Sequence, residues 1–395
     1  MDSARLAREL VAETRTHGGL APVDLDRFWA DQETAIANPF GAEIPQVPLG
    51  VMMGTACVFD ELGIPETPEN WHRLSHDGPW IKEACEAYNR KAREIVGQDL
   101  LHVPSNDHTR PGAVRGPKTL ADLFEAKNTW HHESYWLQSS ANTEDDLKAL
   151  LDRVEKRLEN PANFFLPEGW MQERARILAA GENLPAYRVQ RGPVTFAMSV
   201  FGAENLIFLI MDRPDLAGRF RDLVLRGMLG LGRVLEESAG RTRETEPRGF
   251  SFFDDNCCLL TPEMYDFFGF PILKAMFDRY APGSNDRRYQ HSDSPMGHLL
   301  PILARLNFSR VNFGPTLTVS QIREAMPQTV IAGQLAPFTF SRNEEENIIR
   351  EFLRDFGQAR EKRGLLFATA GSINNGSRLT GMRLLMSAIQ RHGRY

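Results

Sequence analysis

From about residue 186 to its C-terminus the chain repeats one phrase: a short β-branched or aromatic run, a few polar or small residues, then a stretch with helical periodicity. Such alternation marks successive βα units, and βα units lay their strands side by side in parallel. Strands are predicted at 193–200, 249–253, 288–290, 310–313, 329–332 and 364–369. Helices are predicted between them. Val224, Met228, Leu231 and Leu235 recur on one face. Thr261-Pro262-Glu263 supplies a capping threonine, a first-turn proline and a first-turn acid. A helix is expected over 299–306, and Thr318-Val-Ser-Gln321 reads as a capping box before Ile322 and Met326. Two architectures accommodate such a pattern. A doubly wound open sheet announces itself with a glycine-rich phosphate loop after its first strand, and neither G-x-G-x-x-G nor G-x-x-x-x-G-K-[ST] occurs in that setting. The expected fold is therefore α/β, a (β/α)8 TIM-type barrel, which a chain of 395 residues can form with an N-terminal helical extension to spare.

The first 95 residues are read as that extension or cap and residues 96–395 as the barrel. Proline-rich passages at 38–48 and 63–71 look like loops around short helices. Leu147, Leu150, Leu151, Val154 and Leu158 place an amphipathic helix over 143–160. A formal charge of −6 with scattered basic residues leaves no patch that could neutralise a phosphate backbone, so nucleic acid is not an expected partner. The first fifteen residues lack a signal-peptide core and no run reaches the roughly 20 apolar residues of a membrane span, so a cytoplasmic protein without membrane attachment is expected. Cys57, Cys85, Cys257 and Cys258 make an improbable disulfide framework, consistent with a reducing compartment.

Catalytic groups of barrel enzymes stand at the carboxyl ends of the strands. Asp254 and Asp255 follow directly on one predicted strand, where a carboxylate with a raised pKa could donate a proton or steady a cationic intermediate. His291 and Asp293 end the next, with His298 completing H-x-D-x4-H; these could relay a proton or bind a metal, and the metal-free pair is the preferred reading. Asn312, Gly314, Gln334, Asn374 and Asn375 offer neutral groups at three further strand ends, suited to orienting a polar substrate. Arg110, Arg115, Arg188 and Arg191 could clamp a carboxylate through their planar guanidinium forks, Arg110 and Arg191 being preferred. Against these stand plainer roles: acids that cap loops, arginines in surface salt bridges, Cys257 and Cys258 as small buried hydrophobes, and Trp130-His-His132 with Trp136 as aromatic core.

Four segments resemble the uroporphyrinogen decarboxylase superfamily, which also includes corrinoid-dependent methyltransferases. They are Arg191-Gly-Pro-Val-Thr-Phe-Ala with Phe201-Gly-Ala-Glu204, Asp254-Asp255 through Pro262-Glu-Met-Tyr265, Ala332-Gly-Gln-Leu-Ala-Pro337, and Gly371-Ser-Ile373 to the terminal Gly393-Arg-Tyr395. The resemblance implies the barrel and two activities. The first is a cofactor-independent decarboxylase acting on a carboxylated small molecule, with Asp254 or Asp255 stabilising the protonated intermediate, His291 and Asp293 moving protons and arginines binding carboxylate. The alternative is a methyltransferase using a corrinoid or folate methyl carrier, with a corrinoid protein as partner. A third is a ligand-binding barrel without catalysis. Three departures narrow these. The arginine-rich opening that holds tetrapyrrole propionates is absent near the start. The H-x-C of the zinc methyltransferases is replaced by His291-Ser-Asp293. The distant cysteine of those enzymes, a histidine in the decarboxylase, aligns with Gly371, so no thiol-activating zinc is expected. A small-molecule substrate is the expected partner, and a homodimer the assembly to look for.

Overall fold

A computed structural model describes residues 2–104 and 116–395. Two strands, β1 (Lys127–His131) and β2 (Ser134–Gln138), form an antiparallel hairpin. Six more, β3 (Val189–Arg191), β4 (Phe250–Phe253), β5 (Arg288–Ser292), β6 (Arg310–Phe313), β7 (Val330–Leu335) and β8 (Leu365–Thr369), pair in parallel in chain order. Beyond β8 an extended N-terminal segment continues the sheet, with Leu49 bridging Phe367. The Phe367 N–H donates to the Pro48 carbonyl at 2.8 Å, and the Gly50 N–H donates to the Phe367 carbonyl at 2.7 Å. The architecture is the expected α/β fold of (β/α)8-barrel type; ladders among the described residues join six strands and this bridge.

Alternation along each strand divides the sheet into two faces. Phe252 meets Phe277 of the helix Pro262–Tyr280, and Phe367 meets Phe352 of the helix Glu345–Ala359. Phe250, Val311, Phe313, Ile331 and Leu365 join them with no exposure, forming the apolar layer between sheet and helices. The opposite face carries Arg191, Phe253, Tyr289, His291, Arg310 and Asn312, most of them polar. Inward polar positions explain why the strands read as shorter in the sequence than they are. β5 runs on through His291 and Ser292, and β7 through Gly333 to Leu335, although residues of those types look like strand ends.

Helix signals are realised at Glu144–Arg157, Pro214–Ser238, Pro262–Tyr280 and Val319–Ala325, with capping boxes at Thr143 and Thr318 and a threonine cap at Thr261. Within the proline-rich passage at 63–71 a helix starts, Pro68–His76, capped by Thr67. One strand prediction is overturned. Residues 193–200 lie in a helix, Pro193–Phe201, and the strand precedes them as β3. An apolar run of that length fits either a buried strand or a buried helix by periodicity. Pro193 at the first helical position and a hydrogen bond from the Thr195 N–H to Asp254 Oδ1 at 2.8 Å decide for the helix. Among the described residues no single helix is long and apolar enough to cross a membrane.

Candidate active site

Register places Arg191, Phe253, His291 and Asn312 in one row across β3 to β6, near the carboxyl edge of the sheet. Asn312 fixes the histidine. Its Nδ2 donates to the carbonyls of Ala332 and Thr369, which leaves Oδ1 to accept. Nδ1 of His291, 2.7 Å from that oxygen, must therefore carry the proton. Nε2, the other ring nitrogen, faces Asp255 Oδ1 at 3.9 Å.

Asp255 opens the short 3-10 turn after β4, and its Oδ1 accepts the Asp293 N–H at 3.1 Å. Ligand-capable atoms of Asp255, His291 and Asp293 lie within 4.8 Å of one another. Burial pushes the Asp255 carboxyl above its ordinary value, and the neighbouring Asp293 charge pushes the same way. A carboxyl of raised pKa beside an imidazole nitrogen is the equipment of general acid–base catalysis. The same three groups could hold a divalent cation through an imidazole nitrogen and two carboxylates. A thiolate zinc centre does not fit. Asp293 occupies the second ligand position, and a Cβ on Gly371 would lie 2.8 Å from that of Asp293 at a φ of +123°, so no side chain can take the third.

Asp254 points elsewhere. It has no exposure, its Oδ1 accepts the Thr195 N–H, and it occupies the space a Cβ on Gly192 would need, 2.1 Å away. Burial raises its pKa from 3.8 to about 7, and Oδ2 has no hydrogen-bond partner. Of the neutral groups, Asn312 is committed to His291 and the two carbonyls. Gln334 Nε2 donates to the carbonyls of Gly314 and Leu317, at 3.1 and 2.8 Å. Asn375 donates to Glu66, and the Asn374 carbonyl accepts from Cys57 and the Ser377 N–H, so this loop ties β8 to the N-terminal segment. Arg191 is exposed at the rim, 3.3 Å from Ser199 Oγ. Arg110 and Arg115 lie outside the described residues. Arg188 is engaged far from the row, with Glu236 at 2.7 Å.

His298 bonds the Leu260 carbonyl, apart from the row. Cys257 is buried with its thiol pushed up by burial, a packing residue. Two aromatic residues escaped the sequence reading. Phe253, 38% exposed, contacts both His291 and Tyr289, with ring centroids at 5.4 and 6.1 Å. Tyr289 lies two residues before His291, the spacing that puts it on the same face of β5. The hairpin residues Trp130 and Tyr135 pack instead with His72 and His76, and Trp136 is exposed.

The parallel barrel-type sheet thus brings Asp255, His291 and Asp293 together at the ends of adjacent strands, where barrel enzymes carry their catalytic groups. The family model for uroporphyrinogen decarboxylase (URO-D) matches residues 150–392, more than half of the chain, and the chain belongs to that family. A methyltransferase from Methanosarcina mazei has a similar fold, with a TM-score of 0.54 and 15% identity over 91% of this chain and 97% of that one. No curated protein matches the sequence.

Proposed function

We propose that this protein is a decarboxylase of a carboxylated small molecule, using its own side chains as acid and base. The observation that carries the reading is the convergence of Asp255, His291 and Asp293, with the Asp255 carboxyl pushed up by burial and Nε2 of His291 facing it. The substrate's C–C bond to its carboxylate breaks, carbon dioxide leaves, and the bonding pair stays on the substrate carbon. Asp255 then delivers its proton to that carbon. The Asp255 carboxylate is reprotonated from water, with His291 Nε2 as the relay and Asp293 steadying the imidazolium that forms. Phe253 covers one side of the row and limits water there. General acid–base groups contribute about 10²- to 10⁴-fold to rate. Asp255→Asn and His291→Ala, each made singly, should therefore lower carbon dioxide release by at least ~100-fold. Release that continues unchanged in both would contradict the assignment.

Methyl transfer has one observation in its favour, the ability of the same three groups to hold a cation that could polarise a methyl acceptor. In that case methylcobalamin or a folate should raise the melting temperature by mass action, and a small carboxylic acid should not.

A further inference from the structure

One row below His291 and Asn312 on the same face lie Tyr289 and Arg310, which face each other across β5 and β6. Phe253 touches the rings of both Tyr289 and His291, so the two rows form one continuous surface. The Arg287 guanidinium stacks over Tyr289, its carbon 4.9 Å from the ring centroid. Arg310 is half-buried beside them, and burial together with the Arg287 charge depresses its pKa. Other arginines at this end of the sheet are matched. Arg288 donates to the Ala281 and Leu306 carbonyls, Arg279 to Glu236 and Glu246, and Arg323 to five carbonyls. Neither the Arg287 nor the Arg310 side chain has a hydrogen bond or an ion pair among the described residues. Arg287 stacks on Tyr289 and Arg310 faces it across the ladder; two like charges so placed repel each other, and an anion between them removes that cost. The place is open to solvent: Arg287 is exposed, Tyr289 and Arg310 are half-buried, and Val189 in the same row is 57% exposed.

We propose that Arg287, Tyr289 and Arg310 form an anion subsite that holds a second, non-reacting carboxylate of the substrate. The proposal rests on the decarboxylase reading for the role of the other carboxylate, but not for the existence of the subsite. Two residues of strand separate the rows by roughly 6.5 Å. The substrate class is then a small dicarboxylic acid with a few atoms between its acid groups, one anchored at Arg310 and the other presented to His291 and Asp255. Decarboxylation of such a molecule consumes one proton and leaves a monocarboxylate, which the arginines still hold.

Calorimetric titration of the full chain with malonate, succinate, glutarate, adipate and phthalate tests the subsite without any turnover. Butyrate and inorganic phosphate serve as single-anion probes. At least one dicarboxylate should bind wild type, and Arg310→Gln should weaken it roughly 10- to 100-fold, the loss expected for one charge-assisted hydrogen bond. Arg310→Lys should recover part of the loss, which a merely misfolded variant would not. Equal affinity in wild type and Arg310→Gln, or no binding by any of the seven probes, would overturn the proposal. Tighter binding of phosphate than of every carboxylate would overturn the dicarboxylate class. If binding depends on Arg310 while no bound acid loses carbon dioxide, the decarboxylase reading fails and the subsite stands.

Discussion

Asp254 sits with one carboxylate oxygen bonded to the Thr195 N–H and the other buried without a partner, so the fold favours the neutral acid. Its folded pKa of about 7 exceeds the ordinary 3.8. The folded protein therefore binds this proton more tightly than the unfolded chain does. The resulting stability is full below about pH 4 and is lost as pH rises towards 7. Each pKa unit is worth ~1.4 kcal/mol, so the loss amounts to a few kcal/mol. Asp254→Asn keeps an acceptor for Thr195 without the titration. Its melting temperature relative to wild type should climb between pH 4.5 and 8, and a flat difference would mean that Asp254 does not titrate in that range. Adjacency in sequence made Asp254 and Asp255 equivalent candidates. Only the 3-10 turn after β4, which sends one towards the Pro193 helix and the other towards His291, separates a buried capping acid from an acid at the site.

At the scale of elements, the turn from β3 into the helix Pro193–Phe201 depends on Gly192 lying against Asp254. A methyl group there would meet the Asp254 side chain at 2.1 Å and must displace the turn or the acid. Gly192→Ala should destabilise by about 1–3 kcal/mol, the usual cost of overpacking a filled site, read as an earlier chemical-denaturation midpoint with unchanged slope. The variant combined with Asp254→Gly, which removes every clashing side-chain atom, should recover part of the loss. The strands β4, β6 and β8 were legible because their helix-facing sides carry Phe250 and Phe252, Val311 and Phe313, and Leu365 and Phe367, whereas β5 turns Arg288, Gln290 and Ser292 to that side. The Pro193 helix was not, because a run that is apolar throughout has no period with which to distinguish strand from helix.

For the whole molecule, Arg188, Glu236, Glu246 and Arg279 join the lead into β3 to the helices Pro214–Ser238 and Pro262–Tyr280. Both arginines also stack on the Tyr280 ring, at 4.2 and 4.6 Å. Arg279→Met leaves the two buried carboxylates with Arg188 and the more exposed Arg248 alone. Breaking such a cluster costs about 3 kcal/mol or more. Because the cluster does not touch the His291 row, the loss should show in melting temperature while kcat at a permissive temperature stays within about two-fold. By itself the sequence determined the order of βα units, the family likeness, and the candidacy of His291, Asp293 and the Asp254-Asp255 pair. Local spacing and strand-end chemistry suffice for these. The tertiary structure decided which of the two acids reaches the histidine, which imidazole nitrogen bonds Asn312, and that Arg287 and Arg310 flank Tyr289 with no counter-charge among the described residues. Those depend on parallel register between strands 20 or more residues apart, and no local pattern encodes that register.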